Sequence, residues 1–146
     1  MKATIAVYGA YGHTGRFVVA RLYERGYRPL LCGRDPEKLA QLHDRFPELP
    51  LRTVGTDDAA QLQRAFAEVD IVIKCAGPFL DTGLPVATAA VACGAHYLDL
   101  SAEQQSMRDL FVAFDAREFL QALDPDDVRV SEVTTGAVNS VGPAVR

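Results

Sequence analysis

The apolar positions of this chain change period as it runs. Residues 4–8 form a short β-branched run bounded by glycine, which predicts a strand. Beyond Gly9, Gly12 and Gly15 the period becomes helical, through Phe17, Val18, Val19, Ala20 and Leu22, and Gly26 ends that helix. A second strand is expected over residues 27–32, against the objection of Pro29, which has no N–H for a ladder. Asp35 is a good N-cap and Pro36 suits the first helical position. Leu39, Leu42 and Phe46 make the buried stripe of this second helix, and Pro47 and Pro50 stop it. Residues 51–54 predict a third strand. Thr56, Asp57 and Asp58 open a third helix with the stripe Leu62, Ala65, Phe66 and Val69.

Residues 70–74 are a Val/Ile-rich fourth strand. A small and apolar fourth helix is expected over residues 84–92, with Pro85 in its first turn and Gly94 closing it. Residues 95–101 read as a fifth strand with Tyr97 and Asp99 on one face. From Glu103 a fifth helix puts Met107, Leu110, Phe111 and Phe114 on one side. Its stripe then fails at Arg117 and Glu118 and restarts at Phe119, Leu120 and Leu123, which implies a kink, a second helix or a shortened chain. Residues 128–134 are a candidate sixth strand, and residues 136–146 read as loop or tail.

Strictly alternating strands and helices predict an α/β fold. The form expected is a Rossmann doubly wound parallel sheet of order 3-2-1-4-5 with helices on both faces and right-handed crossovers. We expect residues 1–123 to form this domain. Residues 124–146 then hold the extra strand and tail, the remnant or start of a substrate domain.

The glycine turn carries the first chemistry. Gly9 at the strand end permits a tight turn, Gly12 lets a diphosphate approach the backbone, and Gly15 lets helix and strand pack closely. The helix start adds free N–H groups and the positive end of its dipole, and Thr14 adds a hydroxyl. The spacing Gly-x-x-Gly-x-x-Gly departs from the commoner dinucleotide fingerprint, and a tight βα turn with no ligand is the alternative.

The end of the second strand selects the cofactor. An acid there binds the ribose 2′-hydroxyl of NAD, whereas an arginine pairs with the 2′-phosphate of NADP. Gly33 is followed by Arg34, with Lys38 one helical turn on, so NADP is expected. Asp35 opposes this reading unless it is committed to capping. A solvated helix start is the alternative for Arg34 and Lys38. Of Asp57 and Asp58, one caps the third helix and the other can reach an adenine amino group. Cys75, Ala76, Gly77 and Pro78 turn off the fourth strand and face the glycine turn across the crevice where strand order reverses, so small residues there admit the nicotinamide ribose. A sharp loop with no such role fits the same residues.

Bulk composition narrows the classes. The chain has 146 residues, 49% hydrophobic and 23% charged, enough for one domain with a proper core. A net charge of −4 argues against nucleic acid as a partner. No apolar run reaches spanning length and the N-terminus enters a strand directly, so neither a membrane partner nor a signal peptide is expected. Cys32, Cys75 and Cys93 match no metal or redox spacing, so no metal site is expected. They suit a reducing compartment, the cytoplasm by default.

Four motifs in order resemble the NADP-binding domain of the saccharopine dehydrogenase family, including its trans-acting enoyl reductase relatives. They are Gly9-Ala-Tyr-Gly-His-Thr-Gly15-Arg16, then Gly33-Arg34-Asp35-Pro-Glu-Lys38-Leu39, then Ala76-Gly77-Pro78-Phe79, then His96-Tyr97-Leu-Asp99-Leu-Ser101-Ala-Glu103. The last two are the specific ones. The resemblance covers residues 4–103. It implies that Gly9, Tyr11, Gly12, His13, Thr14 and Gly15 form the diphosphate loop, that Arg34 and Lys38 hold the 2′-phosphate, and that Cys75 to Pro78 lie by the nicotinamide half. It implies NADP(H) as cofactor and hydride transfer to or from a small-molecule substrate. The family's glycine after Ser101 is Ala102 here, and nothing after about residue 115 matches its substrate domain.

Two functions follow. One is the cofactor domain of an NADP-dependent oxidoreductase, with no residue assignable as catalytic acid or base. The other is a non-catalytic NADP-binding sensor or docking module, with residues 107–119 as the surface for a partner or a second copy in a homodimer. A short-chain-reductase-like enzyme ranks last, because no tyrosine is followed four residues later by lysine.

Overall fold

A computed structural model describes residues 2–114 and 139–141. In chain order they form β1 (Ile5–Tyr8), α1 (His13–Glu24), β2 (Leu30–Gly33), α2 (Pro36–Arg45), β3 (Leu51–Thr53), α3 (Ala59–Phe66), β4 (Ile71–Lys74), α4 (Phe79–Ala92), β5 (His96–Asp99), α5 (Gln104–Ala113) and β6 (Asn139–Val141). The sheet order is β3-β2-β1-β4-β5-β6. The first five strands are parallel, and β6 runs antiparallel beside β5. The doubly wound order expected from the sequence is therefore present. The strand expected over residues 128–134 and the break in the stripe after residue 115 lie outside the described residues, whereas residues 139–141, read as tail, pair with β5.

β1 and β2 are buried on both faces, as central parallel strands must be. On one face α1 and α2 bring Val19, Leu39 and Leu42 onto Val7 and Leu31. On the other, α3, α4 and α5 bring Phe66, Val86, Ala90 and Leu110 onto Val72 and Tyr97. β2 begins after Pro29, three residues later than the apolar pattern suggests, because proline cannot donate to the ladder. Asp35 caps α2, accepting from the amides of Glu37 and Lys38, both at 3.1 Å. Asp58 caps α3 through the Gln61 amide at 2.9 Å.

Two helices differ from the sequence pattern. α4 starts at Phe79, five residues before the expected Leu84, so Pro85 lies inside it. Its first turn is held from elsewhere: the Leu80 amide donates to Glu103 Oε2 at 3.0 Å, and the Ser106 hydroxyl donates to the Phe79 carbonyl at 3.2 Å. α5 buries Leu110, with Phe114 packed partly buried on the same core, as the stripe predicts; Ser106 is buried as well, and Phe111 of the stripe is 47% exposed. Ser106 can approach because Gly83 of α4 lacks a side chain; a Cβ there would lie 3.0 Å from Ser106 Oγ.

Candidate functional site

The strand-order reversal between β1 and β4 opens a cleft of about 320 Å³ at the carboxyl ends of the strands. Its first wall is the turn after β1. Gly9 has φ 81°, and its amide and that of Ala10 donate to the Cys32 carbonyl at 2.8 and 3.2 Å, which ties the turn to the end of β2. The Gly12 amide donates back to the Gly9 carbonyl at 3.1 Å. A Cβ on Gly15 would sit 2.0 Å from the Gly9 carbonyl oxygen, so α1 can meet the turn only with glycine there. Gly15 thus shapes the turn without lining the cleft, while Gly9, Tyr11, Gly12, His13 and Thr14 do line it.

The helix starts around the cleft are not equivalent. Carboxylates cap α2 and α3, and α4 receives that of Glu103. α1 has Gly12 as its N-cap residue and so no side-chain cap. An open helix start suits an anion. No Asp or Glu lines the cleft, and Arg34 does, exposed and without an ion pair among the described residues. These residues fit a dinucleotide diphosphate with a cation near one end.

Asp35, the acid that would favour NAD, is turned away into its cap. The Lys38 amide is the first cause of its lowered carboxyl pKa, and the Lys38 ammonium lies 3.5 Å from it. Tyr11 links the two regions: its ring lies over Gly33, and its hydroxyl oxygen accepts from the Asp35 amide at 3.2 Å. Lys38 lies behind Tyr11, in a shallow depression shared with Arg16 and Arg45 rather than in the cleft. His13 is at the cleft edge, its Nδ1 3.2 Å from Arg16 Nη2 and its ring edge-on to Phe17. Asp57 is exposed beside Gly55, and Thr56 lines the cleft in its place.

The facing wall is Cys75, Ala76 and Gly77. Pro78, after a cis peptide, stands just outside the lining as the N-cap of α4. Burial pushes the Cys75 thiol up to about 11 and the Tyr8 hydroxyl up to about 12, so both are protonated at neutral pH and offer no nucleophile. Tyr8 also donates to the Val54 carbonyl at 3.1 Å. Tyr97 and Asp99 are fully buried below this wall, and the Tyr97 hydroxyl donates to Asp99 Oδ2 at 2.7 Å.

The pattern of the sequence did not single out Tyr8, Thr56 or Thr82 as lining residues, nor Lys74 beneath them. Tyr8 and Lys74 each end a parallel strand at the reversal point, which was the available signal. Thr82 was hidden by the late helix start.

Comparison with known proteins agrees with this fold. Residues 5–123 match the family described as the saccharopine dehydrogenase NADP binding domain. A probable mitochondrial saccharopine dehydrogenase-like oxidoreductase of Arabidopsis thaliana is 32% identical over 118 residues, 70% of this chain and 26% of its own length. A trans-acting enoyl reductase of Mycobacterium ulcerans is 29% identical over 111 residues, 72% of this chain and 27% of its own. The chain spans about a quarter of the length of these curated relatives. Among solved structures, the NADP(H) complex of the Citrobacter sp. triphenylmethane reductase superposes with a TM-score of 0.61 at 24% identity, covering 79% of this chain and 45% of that one. That likeness is one of fold.

Proposed function

Since the chain belongs to the saccharopine dehydrogenase NADP-binding domain family, we propose that its cleft holds NADP(H) for hydride transfer to or from a small-molecule substrate, with Arg34 selecting the 2′-phosphate. The observation that carries this reading is the pairing, across one cleft, of an uncapped α1 start with a wall of small residues and an arginine free of ion pairs among the described residues. The Gly9–Gly12 turn and the amides of His13 and Thr14 take the diphosphate. Arg34 takes the 2′-phosphate, and Lys38 adds positive potential from behind Tyr11. Thr56, with Asp57 next to it, borders the adenine side, and Cys75 to Pro78 border the nicotinamide side. When bound, the nicotinamide supplies the hydride chemistry. The three free cysteines suit a reducing compartment, and we place the protein in the cytoplasm.

Titration of the full chain with NADPH and NADH, followed by cofactor fluorescence, tests the reading. NADPH is expected to bind at least about tenfold more tightly, a difference of about 1.4 kcal/mol. Arg34→Ala should remove most of that difference while leaving NADH binding unchanged. Equal binding of both cofactors to the wild type would refute the role of Arg34, and binding of neither would refute the site.

A further inference from the structure

Lys74 has no exposed surface, although it carries a charge into the apolar side of the sheet. It ends β4, in register with Tyr8 on β1 and Asp99 on β5. Its ammonium donates to the Ala76 carbonyl at 2.8 Å and lies 3.8 Å from the centre of the Phe79 ring. The same Ala76 carbonyl accepts from Thr82 Oγ1 at 3.1 Å, and that hydroxyl also lies 2.7 Å from the Pro78 carbonyl. On its other side, the Ala76 backbone presses against the glycine turn: a Cβ on Gly9 would come within 2.6 Å of the Ala76 nitrogen. Ala76 is therefore held between the glycine turn, which meets its nitrogen and Cα, and a buried cation on its carbonyl oxygen.

Burying an ammonium is costly, and here it stands beside the buried Asp99 carboxylate of the neighbouring strand. That carboxylate offsets the charge, and the ammonium's hydrogen bond goes to the Ala76 carbonyl. We propose that Lys74 is a positioning residue for the nicotinamide half of the bound cofactor, fixing the Ala76–Pro78 wall of the cleft through the Ala76 carbonyl with Thr82 as its second donor. This rests on the cofactor reading above and adds to it a division of labour. Backbone and Arg34 hold the phosphates, while Lys74 and Thr82 set where the other half of the cofactor can lie.

The test compares two ligands on the full chain. NADPH spans both halves of the cleft, whereas 2′,5′-ADP carries only the adenosine half with its 2′-phosphate. Lys74→Met is expected to weaken NADPH about tenfold and to leave 2′,5′-ADP within about twofold. Asp99 keeps the Tyr97 hydroxyl and the Ser101 amide as partners in that variant. Thr82→Val, which leaves the buried charge in place, should show the same selectivity at about threefold. It carries the test alone if far-UV circular dichroism shows that Lys74→Met does not fold. Equal weakening of both ligands, or no change in either, would overturn the proposal. Failure of the wild type to bind either ligand would remove the cofactor reading, and this inference with it.

Discussion

Replacing Gly9 by alanine asks whether the glycine turn and the Ala76 wall behave as one rigid unit. Gly9 has φ 81°, a conformation that costs an L-residue about 1–2 kcal/mol. The added Cβ would also lie 2.6 Å from the Ala76 nitrogen, 2.7 Å from its Cβ and 2.8 Å from its Cα. Two of those atoms are backbone, so no rotamer change relieves the contact. Relief means moving the end of β4 away from β1, where the Cys75 amide donates to the Tyr8 carbonyl at 2.8 Å. Overpacking of this kind adds about 1–3 kcal/mol. The expected loss is about 2–5 kcal/mol, out of roughly 5–15 kcal/mol for a whole domain. Gly94→Ala separates the two causes. Gly94 has φ 74°, but a methyl group there would meet no atom within 4 Å, so only the backbone cost of about 1–2 kcal/mol applies. Urea unfolding followed by far-UV circular dichroism measures both variants. Equal losses at the two positions would refute the close contact between turn and wall, and with it the wedged Ala76 peptide on which the role of Lys74 depends.

Other consequences are smaller in scale. Asp35→Ala should cost about 1 kcal/mol in urea unfolding, through the two amides it leaves uncapped, while NADPH stays preferred over NADH because Asp35 faces its helix and not the cleft. Stability should also follow pH with a definite sign. Burial lowers Lys74 from 10.5 to about 8, so above pH 8 the unfolded chain holds more protons and stability rises. Burial raises Cys75 from 9.0 to about 11 and Cys32 to about 12, so above pH 9 the unfolded chain holds fewer protons at these sites and stability falls. A maximum near pH 9 is therefore expected in a series of urea melts. Lys74→Met should lose the rise between pH 8 and 9 and keep the alkaline fall; persistence of the rise in that variant would show that another group causes it.

Most of the sheet was legible because central parallel strands leave a plain trace. Ile5 to Tyr8 and Leu30 to Gly33 are nearly uninterrupted apolar runs, each closed by a glycine turn. Asp35 and Asp58 marked two helix starts for an equally local reason, since each side chain bonds amides two or three residues ahead. The start of α4 was not legible. Pro85 has the look of a first-turn proline, and nothing in residues 78–84 reveals that Glu103 and Ser106, more than twenty residues away, supply the bonds of the true first turn. On α5 the expected stripe holds at Leu110 and Phe114 but wrongly took in Phe111 and missed Ser106, for a related reason. Ser106 is polar and drew no hydrophobic phase, yet a missing side chain on Gly83 makes room for it.

The same distinction divides the site. Its Gly9–Gly15 half is built from backbone: a positive φ, a helix that starts without a side-chain cap, a glycine that lets helix and turn touch. Glycines and caps act on their own neighbourhood, so their sequence signals are local and strong. The facing half, around Ala76, is held by side chains from β4 and α4, with Glu103 reaching the first turn of α4. A lysine at the end of a strand reads as a solvated residue until the register sets it between Tyr8 and Asp99, with the Ala76 carbonyl as its acceptor. The arginine and the committed aspartate on which the proposed cofactor choice rests are local signals, while the side chains that hold the Ala76 wall could be found only from the fold.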